Sequence, residues 1–173
     1  MIIKWSHWTN VAWVIAAVHD NNYWLKWIAE NAVIMPIIIS SEGSATYENI
    51  GNWIYYAVNN WAKIINISFA WPYTDKLNEA IRYANDRWVI IVVAAWNDSV
   101  NLSKIKHSPV CNDVNNKWDI IWVWGLVLDW KSVPFSNYWW CIDFWSYWSN
   151  IFTSSIDWYS EFNVQEGTSF SSP

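Results

Sequence analysis

Two polar residues lie in contexts where their side chains could take part in chemistry. Ser169 belongs to the closing segment G-T-S-F-S-S-P, residues 167–173, and follows a glycine turn. A serine hydroxyl acts as a nucleophile when a base removes its proton, but a serine turn by itself is a weak signal for this. Asn97 follows small residues at the end of an apolar run. Its amide is a hydrogen-bond donor, although asparagine at such a place is more often a plain turn residue.

The elements that must position these residues alternate between apolar runs and amphipathic stretches. Four apolar runs predict strands: 32–39, 62–68, 89–95 and 119–129. Two segments with apolar residues at helical spacing predict helices: 47–60 and 74–87, the second with Thr74 as N-cap. Strands that alternate with helices indicate an α/β fold of three layers, a mostly parallel sheet with helices on both faces. Ligands bind beyond the carboxyl ends of strands in such folds, which is where Asn97 lies.

Composition excludes several classes of protein. The 173 residues are enough for one domain with a core, and 54% hydrophobic against 14% charged residues argues against disorder. The net charge of −5 without a basic stripe argues against a nucleic-acid partner. The apolar runs are shorter than the ~20 residues that span a bilayer. Cys111 and Cys141 are either one disulfide or two thiols, and their spacing does not decide which.

Tryptophan is abundant where glycine is expected. The chain has 19 tryptophans and 4 glycines, whereas about 7% glycine is usual. Trp61 and Trp88 follow predicted helices at the position where a positive φ favours glycine. Trp130 and Trp158 follow aspartates, where a hairpin favours Asp-Gly. An aromatic surface for carbohydrate or membrane contact is the alternative, but its spacing would follow a face rather than turns.

We therefore hypothesise that many of these tryptophans are glycines encoded by UGA. Some bacterial lineages read UGA as glycine and others as tryptophan, so the wrong code would write tryptophan at each such glycine. Literal tryptophans would each cost roughly 1–2 kcal/mol at a positive φ. Overpacking would add about 1–3 kcal/mol at a buried site. A chain with many literal tryptophans is accordingly expected to fold poorly.

With glycine read at these positions, four sequence blocks resemble the subtilisin-like (subtilase) serine proteases. They are S-H-W-T-N-V-A-W (6–13), I-S-F-A-W-P (67–72), V-V-A-A-W-N-D (92–98) and G-T-S-F-S-S-P (167–173). The family blocks are H-G-T-H-V-A-G, S-x-G-G-P, A-A-G-N and G-T-S-M-A-S-P. Four blocks in the same order are more specific than any one of them, and the resemblance covers essentially the whole chain.

The resemblance implies a serine endopeptidase that hydrolyses peptide bonds through an acyl-enzyme with an Asp-His-Ser triad. His7 is similar to the catalytic histidine, Ser169 to the nucleophile, and Asn97 to the side-chain donor of the oxyanion hole. Substrate-binding residues implied by the resemblance are Gly43, Ser44, Ala45, Ser68, Phe69, Ala70, Ala94, Ala95 and Trp96. The family implies polypeptide substrates, no cofactor for catalysis, a monomeric catalytic domain, and secretion or attachment to the cell surface.

The sequence also departs from the family pattern. No aspartate lies in a block that matches the triad aspartate, so residues 1–173 are expected to be a partial catalytic domain that lacks this aspartate and the region after the nucleophile. Asn10 replaces the second histidine of its block, and Ala70 replaces a glycine. The segment 18–27 resembles a calcium-binding loop in length, with Asn21 as a candidate ligand. The alternative function is an inactive, subtilase-like peptide-binding module.

Overall fold

A computed structural model of the chain describes residues 6–17, 29, 31–39, 47–69, 71–72, 74–102, 104, 107–108, 120–127, 134–138, 142–154 and 162–173. The helices of this part are α1 (Ser6–Ala16), α2 (Tyr47–Asn59) and α3 (Asp75–Asn85). The strands are β1 (Ile64–Ile67), β2 (Trp71–Pro72), β3 (Ile90–Ala94), β4 (His107–Ser108), β5 (Ile121–Leu126), β6 (Phe144–Tyr147), β7 (Ile151–Ser154) and β8 (Phe162–Gln165). A 3₁₀ helix at Thr168–Phe170 follows β8.

The main sheet has four strands in the order β1-β3-β5-β6, and every neighbouring pair is parallel. Helix α3 connects β1 to β3, as a parallel pair requires a crossover. The predicted α/β class with a parallel sheet is therefore confirmed. Two short antiparallel pairs, β2 with β4 and β7 with β8, accompany the sheet.

The core lies between the sheet and the pair of helices α2 and α3. Ile50 and Ile54 of α2 and Leu77 of α3 are buried, and all three belong to one apolar cluster with Ile91 and Val93 of β3. These apolar residues recur at the spacing that predicted the two helices. The hydroxyl of Thr74 accepts a hydrogen bond from the N–H of Leu77 at 3.3 Å, so the predicted N-cap of α3 is confirmed.

Both α2 and α3 end in a left-handed turn that is occupied by tryptophan. Trp61 has a φ of 69° and Trp88 a φ of 60°. The residue after Trp61 donates its N–H to the Ala57 carbonyl at 3.0 Å, and the residue after Trp88 donates to the Ala84 carbonyl at 3.0 Å. In each case the N–H of the sixth residue of the turn bonds the carbonyl of the first. This bond is typical of the Schellman motif, which usually has glycine in its left-handed position. The positive φ predicted at these two tryptophans is confirmed.

The apolar run 32–39 was expected to be a buried strand, and this expectation is wrong. The run has no strand in the structure, and Val33 and Ile38 are 94% and 70% exposed. Pro36 lies in the middle of the run and has no N–H to give to a ladder, and the described residues contain no strand that pairs with it. An apolar run needs such a partner before it can form a strand. In the described part of the chain, no helix is long and apolar enough to cross a bilayer.

Candidate active site

The turn before Ser169 is built around a glycine. Gly167 has φ 128° and ψ 154°, a region that only glycine adopts readily, and the 3₁₀ helix Thr168–Phe170 starts directly after it. The N–H of Gly167 donates to the Trp148 carbonyl at 2.9 Å. The hydroxyl of Ser171 donates to the Tyr147 carbonyl at 3.0 Å. The segment that carries Ser169 is therefore fastened to the end of β6 on both sides of the serine.

Ser169 itself is buried and contacts the end of β1. Its hydroxyl donates to the Ser68 carbonyl at 3.1 Å, and the Ser68 hydroxyl donates to the Ser169 carbonyl at 3.1 Å. The Ser68 hydroxyl also lies 3.2 Å from the Ser172 hydroxyl and accepts from the Asn66 amide at 2.9 Å. Residues about one hundred positions apart in sequence thus form one buried polar cluster.

Asn97 lies just beyond the carboxyl end of β3 and contacts the residue before Ser169. Its Oδ1 accepts a hydrogen bond from the Thr168 N–H at 3.2 Å. With its oxygen held in this way, the amide Nδ2 of Asn97 remains as a donor. Trp96, directly before it, has a φ of 73° and turns the chain out of the strand. The structure therefore places Asn97 against Thr168, the residue directly before Ser169.

A second asparagine braces the loop that carries Asn97, and sequence reasoning missed it. The buried Asn137 accepts from the backbone N–H of Asp98 at 3.0 Å and of Val100 at 3.1 Å through Oδ1. Its own N–H donates to the Trp96 carbonyl at 3.0 Å. No periodic pattern marks Asn137, since its bonds join positions 37 and 39 residues apart.

His7 lies in the first turn of α1, and its ring is half-buried. The ring meets Phe170 edge to face at a centroid distance of 5.3 Å, and Trp8 at 4.9 Å. Burial lowers the pKa of His7 below its ordinary value of 6.5, because desolvation disfavours the imidazolium. The Ser169 hydroxyl donates to Ser68 in this structure rather than to the imidazole. His7 therefore contacts Phe170, the residue directly after Ser169.

The segments expected to bind substrate are described in part. Phe69 lies beside the site, since its ring meets Trp8 at 5.7 Å. Ala94 and Ala95 are fully buried at the end of β3, and Trp96 is half-buried. The predicted residues Gly43, Ser44, Ala45 and Ala70 lie outside the described residues.

Several further expectations concern residues that the structure does not describe. The segment 18–27 with Asn21, and both Cys111 and Cys141, lie outside the described residues. Within the described part of the chain, no group of histidine, cysteine, aspartate and glutamate could hold a metal ion. Asn10 is buried in α1, and its Oδ1 has no hydrogen-bond partner among the described residues.

The family pattern described as Subtilase family matches residues 4–173. The chain belongs to the subtilase family. Among curated relatives, this subtilase is 34% identical over 97 residues to the cell wall-associated protease of Bacillus subtilis. The match covers 56% of the chain and 11% of that protein. It is also 31% identical over 94 residues to thermitase of Thermoactinomyces vulgaris. This match covers 53% of the chain and 34% of that protein. The matched region thus spans 11% and 34% of these two relatives.

Solved structures share the subtilase fold. A protease from Pseudoalteromonas arctica superimposes with a TM-score of 0.81 at 23% identity, over 96% of the chain and 55% of that structure. The prenylagaramide maturation protease PagA superimposes with a TM-score of 0.76 at 23% identity, over 96% of the chain and 59% of that structure. At this identity the likeness shows the fold, and the predicted subtilisin-like architecture is confirmed.

Proposed function

We propose that this subtilase is a serine endopeptidase, with Ser169 as nucleophile, His7 as general base and acid, and Asn97 as oxyanion donor. One observation carries the proposal. The two residues that flank Ser169 contact the other two candidates: Thr168 bonds to Asn97 at 3.2 Å, and Phe170 contacts the His7 ring at 5.3 Å. Residues from three separate sequence blocks thus converge on the serine.

The chemistry follows from these positions. The Ser169 hydroxyl turns from Ser68 toward His7, gives its proton to the imidazole and attacks the peptide carbonyl. The negative charge that develops on the carbonyl oxygen is stabilised by the Asn97 amide and by the Ser169 N–H, which belongs to a first helical turn without an intrahelical acceptor. His7 then protonates the leaving amine, and water hydrolyses the acyl-enzyme by the same steps. The triad aspartate is proposed to come from outside residues 1–173.

The substrate is proposed to be an extended polypeptide that lies along residues 68–70 and 43–45. Residues 94–96 form one wall of the pocket for the side chain before the cleaved bond. Ser68 and Phe69 follow β1 directly, and a peptide in this place adds a strand to an edge. Catalysis needs no cofactor in this proposal. A structural calcium ion at 18–27 and a monomeric catalytic domain remain part of it.

Secretion or attachment to the cell surface is proposed from the likeness to the cell wall-associated protease. The major intracellular serine protease of Bacillus subtilis, 37% identical over 96 residues, is the counterexample among the relatives. Fractionation of cells of the source organism with an antibody against the protein decides between the two, and signal confined to the cytosol would contradict export.

The activity is tested with the full-length protein and its Ser169→Ala variant. Casein and a set of fluorogenic peptides measure turnover, and a fluorophosphonate probe followed by peptide mass spectrometry locates the labelled serine. We expect turnover and label on Ser169 in the wild type and neither in Ser169→Ala. Peptide binding without turnover or label in the wild type would favour the inactive peptide-binding module instead.

A further inference from the structure

We propose that the Ser68 side chain is a positioning residue for the nucleophile, because its hydroxyl fixes the backbone of Ser169 to the end of β1. The inference rests on the proposed function, in which Ser169 attacks the substrate. It assigns a role to the Ser68 hydroxyl that is separate from the substrate-binding role proposed for the Ser68 backbone. Ser68 therefore acts through Ser169 and not on the reacting atoms.

The hydrogen-bonding capacity of the Ser68 hydroxyl is completely used. A serine hydroxyl has one proton to donate and two lone pairs to accept with. The Asn66 amide can only donate, and it lies 2.9 Å from the Ser68 oxygen. The Ser68 proton goes to the Ser169 carbonyl at 3.1 Å, so Ser172 at 3.2 Å must be a donor to Ser68. Because a carbonyl oxygen can only accept, the bond between the Ser68 hydroxyl and the Ser169 carbonyl has a fixed direction.

The two serines exchange bonds in both directions. The Ser169 hydroxyl donates to the Ser68 carbonyl at 3.1 Å, while the Ser68 hydroxyl holds the Ser169 carbonyl. With the carbonyl held, the backbone of Ser169 is fixed to the end of β1 independently of the partner that its own hydroxyl takes. The Ser68 hydroxyl in this network is fully satisfied, whereas the buried Oδ1 of its neighbour Asn66 has no partner among the described residues.

The same contact places the nucleophile and the oxyanion donor on neighbouring strands. Ser68 follows β1, Asn97 follows β3, and these two strands are paired in register from Ile64 with Ile90 onwards. Ser169 is bonded to Ser68 at the end of β1, and its neighbour Thr168 is bonded to Asn97 beyond the end of β3. The Ser68 hydroxyl thus ties the backbone of Ser169 to the strand pair that carries the amide donor.

Ser68→Ala in the full-length protein tests the inference. It removes the hydroxyl and keeps the backbone carbonyl. We expect kcat on a fluorogenic peptide and the rate of fluorophosphonate labelling to fall by about 10- to 100-fold, because a displaced nucleophile loses its attack geometry. KM should stay within about twofold, since the backbone that binds substrate is unchanged. Thr74→Ala is the control. It also removes a hydroxyl that makes a hydrogen bond, but that hydroxyl caps α3 by accepting from the Leu77 N–H at 3.3 Å and does not bond Ser169.

Two more variants separate positioning from folding. Ser68→Thr retains a hydroxyl and should recover most of the lost kcat, which a purely structural defect at this position would not predict. Asn66→Ala leaves both serines intact and should lower kcat by about three- to tenfold, and it keeps the test valid if Ser68→Ala does not fold. An unchanged labelling rate in Ser68→Ala overturns the inference, and so does an unchanged rate in Asn66→Ala where Ser68→Ala does not fold. An equal loss in Thr74→Ala also overturns it. Absence of label in the wild type would instead overturn the proposed function.

Discussion

In the described part of the chain, the turns that end α2 and α3 and the turn before Ser169 all have a positive φ, but they differ in how strongly they require glycine. The turns that end α2 and α3 hold Trp61 and Trp88 at φ 69° and 60°, in the left-handed helical region. The turn before the nucleophile holds Gly167 at φ 128° and ψ 154°. Residues with a side chain enter the first region at a cost of roughly 1–2 kcal/mol. The second region is essentially restricted to glycine.

Space is not what distinguishes the two. A Cβ on Gly167 would meet only the Asn97 Nδ2 at 3.8 Å, which is ordinary contact. The side chains of Trp61 and Trp88 are 83% and 92% exposed, so the overpacking expected of misplaced tryptophans does not occur at these two. Backbone conformation alone separates them. The difference teaches that the helix ends prefer glycine, whereas the nucleophile turn requires it.

Two tryptophans whose indole N–H groups are buried show a different cost. The indole N–H groups of Trp124 and Trp148 are buried and have no acceptor among the described residues. A buried donor without a partner costs about 1–3 kcal/mol. Literal tryptophan is therefore costly at these sites because of an unsatisfied polar group, while at Trp61 and Trp88 the cost comes from strain.

The comparison between these turns depends most on which codons encode the tryptophans. If UGA encodes glycine in the source organism, Trp61, Trp88 and Trp96 are glycines in the native protein, and all the positive-φ turns named above are glycine turns. Sequencing of the gene, together with peptide mass spectrometry of the native protein, measures this. We expect UGA codons and glycine masses at the three positions. UGG codons there would show that tryptophan is native and end the hypothesis.

Among substitutions outside His7, Asn97 and Ser169, Gly167→Ala is expected to have the largest effect. Alanine cannot adopt φ 128° without backbone strain. The turn must therefore shift, and Thr168 shifts with it. The expected loss of kcat/KM is at least about 100-fold, measured on a fluorogenic peptide. Gly51→Ala is the control, because Gly51 lies within α2 and its added Cβ would be 3.4 Å from a backbone oxygen of Lys76. Equal losses in both variants would remove the distinction between turn and helix.

Asn97→Ala should lower kcat by about 10²–10³-fold with little change in KM, the magnitude established for the corresponding donor of subtilisin, a relative. The amide would no longer stabilise the oxyanion or hold the Thr168 N–H. Steady-state kinetics measures both constants. Asn60→Ala is the matched control, since Asn60 is exposed and its amide bonds only the Tyr56 carbonyl at 2.9 Å. A rise in KM at constant kcat would argue against a role for Asn97 in the transition state.

Trp88→Gly and Trp61→Gly should each stabilise the fold by roughly 1 kcal/mol, because glycine relieves the strain of a left-handed conformation. Urea unfolding monitored by circular dichroism measures the change. Trp53→Gly is the control, because Trp53 lies within α2, where glycine is expected to destabilise by about 1 kcal/mol. If all three variants lose stability, the turns do not prefer glycine.

The smallest expected effect is the titration of His7. Burial lowers its pKa in the folded chain below 6.5, so the unfolded chain takes up a proton first as the pH falls. Stability is therefore unaffected above about pH 6.5 and declines as the pH falls toward the lowered pKa. NMR titration of the imidazole C–H protons of residues 1–173 should give a midpoint below 6.5. A midpoint above 6.5 would indicate that a carboxylate faces the ring.

Local sequence determined the regular elements around the site. Apolar spacing identified α2 and α3, β-branched runs identified β1, β3 and β5, and Thr74 marked a helix start. Helix α1 around His7 has no comparably clear period and was not predicted. The run 32–39 has the composition of a strand, but composition does not supply the neighbouring strand that a ladder needs.

The sequence blocks named His7, Asn97 and Ser169, because each block is short and its residues are neighbours along the chain. Only the tertiary structure decided how they meet. The bond between Ser68 and Ser169 joins positions 101 residues apart, and the bond between Thr168 and Asn97 joins positions 71 apart. Such contacts depend on which strand lies beside which in the sheet, and parallel pairing of β1 with β3 determines that. Spacing along the chain therefore predicted the candidate residues, and the sheet decided which hydroxyl holds Ser169 in place.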